Sequence, residues 1–425
     1  MVVSIKIIEE LQWRALTHQC TDLTAVTKEL ESSTVVYAGF DPTSDSLHVG
    51  SLLPLMMLRR FQQAGHKPIA LVGGATGMVG DPSGKSDERI FLSIETLQRN
   101  VAGLETQLRR FLDFDGPNAA VLVNNYDWMH SFSFLDFLRD VGKNFPVNVM
   151  LGKDSVKSRL ERQDSGLSFT EFSYMLLQAY DFAYLAKHRN CKLQIGGSDQ
   201  WGNITAGIDL GRRMLNQQLY GLTCPLLTTS DGRKMGKSEK GAVWLSADKT
   251  SPYEFYQYFI NVPDADVLMV LRFLSDVTRD EYLEIVATMT DKPSAAQRRL
   301  AESITSLVHG EVGLQTALRA SQILFGAEIE SLSDKELNSI FADVPSSTMP
   351  RARLDAGLAL IDALVAVSLV SSKGEARRAI EAGSVYINNR KAGEVPRILI
   401  SSDLASESVI VLRVGKKKYA LMRFE

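Results

Sequence analysis

Short apolar runs alternate with longer helical patterns through the first half of the chain. Residues 34–40, 68–72, 120–124 and 192–196 read as strands. Helical stretches follow them: through Arg60, after Ser93, from Ser131, and from Gln200 to Leu215. Such alternation predicts an α/β fold, a parallel sheet with helices on both faces. Pro54 lies inside the first helical run, so that helix is kinked there or starts late. From Pro263 to about Phe341 no strand pattern occurs; Val267, Leu268, Leu271 and Leu274 recur at helical spacing, and an all-helical region is expected. Residues 343–353, with Pro345, Ser346, Ser347 and Pro350, read as a linker. The last segment reads as two helices and then short strands, and the chain carries no internal repeat or low-complexity tract.

A chain of 425 residues has room for two to four domains. With 45% hydrophobic and 23% charged residues it can bury a core without disulfide staples. Cys20, Cys191 and Cys224 are far apart and form no Cys-x-x-Cys pair, which argues against a disulfide framework or a structural zinc site. The longest apolar candidate for a membrane span, residues 358–370, is broken by Asp362. The N-terminus lacks a basic-then-apolar leader, and Glu9 and Glu10 argue against a transit peptide, so the cytoplasm is the expected location. The net charge of −3 conceals an asymmetry. Residues 351–425 hold thirteen Lys and Arg against eight Asp and Glu, a surplus of +5 that leaves −8 on the remainder. A small basic module on an acidic body points to a polyanion partner.

Two segments carry candidate phosphate chemistry. Asp41-Pro-Thr43-Ser-Asp-Ser-Leu-His48-Val-Gly50-Ser51 lies after the first strand and before a helix, where open α/β sheets bind ligands. A helix N-terminus there offers unpaired N–H groups, His48 can donate to a phosphate oxygen, and Gly50 permits close backbone approach. Lys234-Met235-Gly236-Lys237-Ser238, preceded by Ser230-Asp231-Gly232, places two lysines three apart on a glycine-rich turn able to embrace a triphosphate. Taken singly, His48 reads equally as a helix cap and the lysine loop as a solvated basic turn. Two look-alikes fail. In Gly80-Asp-Pro-Ser-Gly84-Lys85-Ser86 the glycines are one residue too close for a P-loop, and residues 73–80 lack the dinucleotide register.

Tyr174, Gln178 and Asp181 stand at i, i+4 and i+7, one face of a helix whose other neighbours, Met175, Leu176 and Leu177, are apolar. Spacing alone leaves open whether this stripe is exposed or buried with partners. In the tail, residues 371–383 read as a capped helix ending at Gly383, with Lys373, Arg377 and Arg378 on one side. A strand from Val385 and a basic turn at Asn389-Arg390-Lys391 follow, and Lys416, Lys417 and Lys418 recur near the end.

Together the two phosphate segments resemble the His-x-Gly-His and Lys-Met-Ser-Lys-Ser signatures of class I aminoacyl-tRNA synthetases. Within that class the bacterial tyrosine branch is the most similar, over essentially the whole chain. Tyr37-Ala-Gly-Phe-Asp-Pro-Thr, Leu71-Val-Gly-Gly-Ala-Thr-Gly, Gly80-Asp-Pro-Ser, Asn125-Tyr-Asp-Trp, Ser168-Phe-Thr-Glu-Phe-Ser-Tyr and Leu193-Gln-Ile-Gly-Gly-Ser-Asp-Gln-Trp-Gly-Asn-Ile carry the likeness. Ser51 departs from the signature histidine, and Gly236 from the serine.

The resemblance implies five parts: a Rossmann-like catalytic domain (1–228), the lysine loop and connection (229–262), a helical anticodon-binding domain (263–342), a linker (343–352), and a small α+β C-terminal RNA-binding domain of the αL type (353–425). It implies a tyrosine site of Tyr37, Asp81, Tyr174, Gln178, Asp181 and Gln200. Asp181 would accept from the substrate phenol and Tyr37 donate to it, while Asp81, Tyr174 and Gln178 hold the ammonium. ATP would lie against Gly39, Asp41, Thr43, His48, Gly50, Ser51, Gly197, Asp199 and the loop residues Lys234, Met235, Gly236, Lys237 and Ser238. Thr43, His48, Lys234 and Lys237 would act on the phosphates in catalysis, with Lys85 and Arg89 as secondary candidates for this clamp or for the tRNA acceptor end. Mg²⁺ is expected with the ATP, without a tightly held protein-bound metal. Lys373, Arg377, Arg378, Arg390 and Lys391 would grip the tRNA, and a homodimer is implied. The rival readings are a tryptophan-specific relative, another class I nucleotidyltransferase and a non-catalytic RNA-binding relative.

Overall fold

The computed structural model describes residues 6–82, 92–153, 156–157, 160, 167–238, 241–292, 294–329, 332–341, 344–416 and 418–425. Two compact units emerge: residues 1–250 with 255–310, and residues 251–254 with 311–425. Lys85, Arg89 and Lys417 lie outside the described residues.

The first unit is built on a six-stranded sheet. Its strands are β1 (Gln19–Cys20), β2 (Val35–Phe40), β3 (Lys67–Val72), β4 (Val121–Asn124), β5 (Cys191–Gly197) and β6 (Tyr220–Cys224), in the order β1-β6-β5-β2-β3-β4. All neighbours run parallel except β1, which pairs antiparallel with β6. The four expected strands are present, and β1 and β6 add to them. Unbroken apolar runs suit strands covered on both faces: in β3 every residue from Pro68 to Val72 is buried. The helix that follows β2 spans Leu52–Gln63, so Pro54 falls within its first turn, where a missing N–H costs nothing. Helix Phe169–Arg189 starts at a Ser168/Glu171 capping box and ends at Asn190 in the left-handed conformation.

After the sheet come helices Asp264–Leu274 and Arg279–Thr288, then a helical run from Ala295 interrupted at Gly310 (φ 74°, ψ 175°). Two arginines fasten the first of these. Arg14 donates to the carbonyls of Arg272, Ser275 and Val277 at 2.8, 3.2 and 2.7 Å, and Arg60 donates to Ser275 at 2.9 Å. Both guanidinia thus serve carbonyls in the last turn of that helix and in the residues that follow it.

Beyond the short hairpin β7 (Lys237–Ser238) and β8 (Gly241–Ala242), the second unit contributes β9 (Ser346–Met349), β10 (Leu358–Ala359), β11 (Val385–Ile387), β12 (Arg390–Lys391), β13 (Ile398–Leu399), β14 (Val409–Val414) and β15 (Lys418–Phe424). Five form a sheet in the order β12-β11-β14-β15-β9, with β9 parallel to β15 and the rest antiparallel. The stretch read as a linker therefore holds strand β9. Side chains on β14 and β15 alternate between two cores. Ile410, Leu412, Ala420, Met422 and Phe424 pack with helices Leu360–Ala366 and Lys373–Glu381. Val409, Val411, Tyr419 and Leu421 pack with Ala320, Ile323, Leu337, Ile340 and Phe341. The turn between β11 and β12 is Asn388–Asn389, with φ of 48° and 64°. Arg390 and Lys391 belong to the following strand rather than to a turn, because it is the two asparagines that tolerate the left-handed hairpin conformation. Among the described residues no helix is long and apolar enough to cross a membrane.

Candidate active site

The strand order reverses between β2 and β5, and a cavity of about 240 Å³ opens beyond their carboxyl ends. Tyr37 and Gly39 reach it from β2, Asp41 and Ser51 from the loop and turn that follow, Asp81 from beyond β3, and Gly197, Asp199 and Gln200 from the end of β5. Helix Phe169–Arg189 contributes Tyr174, Gln178 and Asp181, so the polar stripe faces inward. Tyr174 is 4% exposed and Asp181 1%.

At the floor, Asp181 Oδ1 accepts from Trp128 Nε1 at 2.9 Å and Oδ2 from Asn125 Nδ2 at 3.0 Å. Burial pushes the Asp181 carboxyl up to about 7; those two hydrogen bonds oppose the shift and Asp41 adds to it. The Tyr37 hydroxyl is buried without a partner among the described residues, and its pKa is raised by burial first and Asp181 second. A carboxylate with acceptor capacity to spare beside an unanswered hydroxyl fits a ligand group that both donates and accepts.

A second network lines the wall. Tyr174 Oη donates to Asp41 Oδ2 and Thr76 Oγ1 to Asp41 Oδ1, each at 2.8 Å. Gln200 Nε2 donates to Asp81 Oδ2 at 2.7 Å, and Gln178 Nε2 donates to Gln200 Oε1 at 3.2 Å. Asn203 Nδ2 donates to the same Gln200 oxygen at 3.2 Å. Two carboxylates framed by side-chain oxygens make this wall suited to a cationic group. Burial raises the Asp199 pKa and Asp81 adds to it, while Lys234 opposes.

The histidine and lysine segments meet at a backbone seam. Val49 N–H donates to Val243 O, Leu245 N–H to Leu47 O and Val243 N–H to Gly236 O, each at 2.9 Å. His48 pairs with Trp244 across it, their rings edge to face at 6.1 Å. The His48 Nδ1 accepts from Gly50 N–H at 3.0 Å, which leaves Nε2 as the ring's donor. Gly236 has φ of +98°, and a Cβ built on it would lie 3.1 Å from Gly50 N. A side chain at 236 would strain the turn and press on the neighbouring loop, a physical reason for glycine where the signature has serine. Gly236 N–H donates to Tyr258 Oη at 2.7 Å, and Met235 is buried.

Twelve of the expected residues thus line one cavity: Tyr37, Gly39, Asp41, Gly50, Ser51, Asp81, Tyr174, Gln178, Asp181, Gly197, Asp199 and Gln200. Thr43, His48 and the residues from Lys234 to Ser238 are not among its walls. In the second unit Lys373 pairs with Asp362 at 2.8 Å and Arg390 with Glu328 at 2.9 Å; Arg377 and Arg378 share the helix of Lys373. Sequence reasoning missed Thr76, Asn125, Trp128, Gln194 and Asn203. Gln194 lies opposite Tyr37 in the β2–β5 register, and its buried side-chain oxygen has no partner among the described residues. All five sit within or beside the stretches that carried the family likeness, which was the available signal.

The pattern described as "tRNA synthetases class I (W and Y)" matches residues 28–326, and that of the "Tyrosine--tRNA ligase SYY-like C-terminal domain" matches residues 336–422. A protein named tyrosine--tRNA ligase from Rhodopirellula baltica is 58% identical over 99% of this chain and 96% of its own. One of the same name from Roseiflexus castenholzii is 52% identical over 98% and 99%. Among solved structures, a C-terminally truncated Aspergillus nidulans mitochondrial tyrosyl-tRNA synthetase superposes with a TM-score of 0.68 at 32% identity, covering 76% of this chain and 94% of that one. With the cavity floor, the stitched signatures and these likenesses in view, the chain belongs to the class I aminoacyl-tRNA synthetases, in the tyrosine--tRNA ligase family.

Proposed function

We propose that this chain activates L-tyrosine with ATP, forming tyrosyl-adenylate and diphosphate, and then transfers tyrosine to the 3′ end of tRNA(Tyr). The observation that carries the choice of amino acid is the pair at the cavity floor. A phenol donates to Asp181 and accepts from Tyr37, whereas an indole N–H only donates and phenylalanine does neither. Either wrong ligand leaves a buried polar group unanswered. The tryptophan-specific reading is disfavoured on this ground.

Asp81, Tyr174 and Gln178 receive the α-ammonium, with Gln200 holding Asp81 in place. The substrate carboxylate attacks the α-phosphorus of ATP, whose Mg²⁺ enters as part of that substrate. Gly39, Asp41, Gly50, Ser51, Gly197 and Asp199 frame the nucleotide. Thr43 and His48 contact the phosphates, His48 through its Nε2 donor. Lys234 and Lys237 neutralise the departing diphosphate, with Met235, Gly236 and Ser238 shaping the loop. A terminal ribose hydroxyl of the tRNA then attacks the adenylate ester.

Helices of residues 263–342 serve as the anticodon-binding part and 353–425 as the αL-type RNA-binding part. Lys373, Arg377, Arg378, Arg390 and Lys391 grip phosphates; the exposed pairs to Asp362 and Glu328 are weak enough to yield to them. A homodimer accords with Phe134, Leu135, Val147 and Phe169, all exposed large apolar side chains of the first unit that a second copy would cover. A cytoplasmic location accords with three cysteines held as thiols.

Amino-acid-dependent exchange of diphosphate into ATP, run with tyrosine, tryptophan and phenylalanine, tests the reading. Exchange with tyrosine alone is expected; exchange with tryptophan at equal efficiency would overturn it.

A further inference from the structure

We propose that Tyr184 is a positioning residue for tyrosine selection: its ring, stacked flat against the Trp128 indole, keeps the Trp128 N–H on the Asp181 carboxylate. The inference rests on the reading above that Asp181 receives the substrate phenol. Trp128 belongs to the four-residue helix Tyr126–Met129, which follows edge strand β4 and has no side-chain cap. Its orientation therefore depends on what touches the ring. One edge donates to Asp181 at 2.9 Å. One face meets Tyr184, with centroids 4.4 Å apart and planes 15° from parallel. Tyr184 is backed in turn by His188, at 4.3 Å and 33°.

Asp181, Tyr184 and His188 are spaced i, i+3 and i+7, one stripe of helix Phe169–Arg189. The helix that presents the carboxylate therefore also presents the plate that aligns its donor. Trp128 and Tyr184 also line a second cavity of about 410 Å³ beside β4, with Leu122, Arg109 and Arg189. Without the plate, the indole has room to swing toward that space. A hydrogen bond weakens steeply as its donor turns away, so a modest rotation would release Asp181 Oδ1.

Diphosphate exchange separates this role from general support of the fold. Tyr184→Leu should raise the tyrosine KM about tenfold and lower the preference for tyrosine over phenylalanine. The ATP KM should stay within about twofold. Tyr184→Phe, which keeps the ring, should match the wild type. Trp128→Phe should reproduce the tyrosine defect, and Trp128→Phe combined with Tyr184→Leu should add nothing to it. Independent, multiplying losses would overturn the inference, as would a parallel rise in both KM values or a Tyr184→Phe variant as impaired as Tyr184→Leu. Tyr184→Met enters the same cycle if Tyr184→Leu does not fold. Any of these failures with a wild type that exchanges on tyrosine removes only the role of Tyr184. A wild type inert toward tyrosine removes the functional reading itself and this inference with it.

Discussion

The role proposed for Asp181 is one that its surroundings resist. Burial favours its neutral form, and only the hydrogen bonds from Asn125 and Trp128, set against Asp41, hold the carboxyl at about 7 instead of higher. A protonated Asp181 is a poorer acceptor for a phenol. The tyrosine KM should therefore rise as pH falls below about 7 and level off above it, while the ATP KM does not follow; Asp181→Asn should erase the inflection. Steady-state exchange kinetics from pH 6 to 8.5 measure this, and a tyrosine KM flat through that range would show that Asp181 does not titrate there. The sign for stability is opposite to that of an ion-paired aspartate. The folded chain binds this proton more tightly than the ordinary value of 3.8, so the contribution of Asp181 to stability declines as pH rises from about 4 to about 7 and is constant above.

Among the elements, helix Asp264–Leu274 depends on a guanidinium supplied from 258 residues away. Arg14 answers the Arg272 carbonyl in the last turn of the helix and the Ser275 and Val277 carbonyls just after it. Arg14→Leu leaves the Arg272 and Val277 carbonyls without their guanidinium, Ser275 keeping Arg60, and should cost about 3 kcal/mol in urea unfolding, whereas Lys6→Leu, at an exposed ion pair, should cost under about 1 kcal/mol. Equal losses would remove Arg14 from this role. The elements also show what a sequence can reveal. Strands β2 and β3 were legible because Val36–Ala38 and Pro68–Val72 are buried on both faces and form continuous apolar runs. Strands β1 and β6 were not: one is two residues long, and the other carries Gly221 and Thr223. The Tyr174–Gln178–Asp181 stripe was legible because its period is local. Asn125 and Trp128 were not read as the holders of Asp181, since they meet it across more than 50 residues and no local pattern encodes that meeting.

For the molecule as a whole, Gly310 marks where one compact unit ends and the other resumes. Ala320, Ile323, Ile329, Leu332, Leu337, Ile340 and Phe341 share a core with the C-terminal sheet, so a cut after Ala352 would strip Val409, Val411 and Leu421 from them. A chain ending at Gly310 should remain monodisperse, retain tyrosine-dependent exchange and lose tRNA charging. One ending at Ala352 should aggregate and bind a hydrophobic dye. Comparable behaviour of the two fragments in size-exclusion chromatography would contradict this boundary. The seam that joins residues 47–49 to 243–245 bears on how such chains diverge. Because the two signature motifs are registered to each other by a few local amides, the length of polypeptide between them is unconstrained by their partnership. Surface loops within that interval can gain or lose residues over evolutionary time without separating the two motifs, whereas a one-residue slip at the seam would misalign both at once.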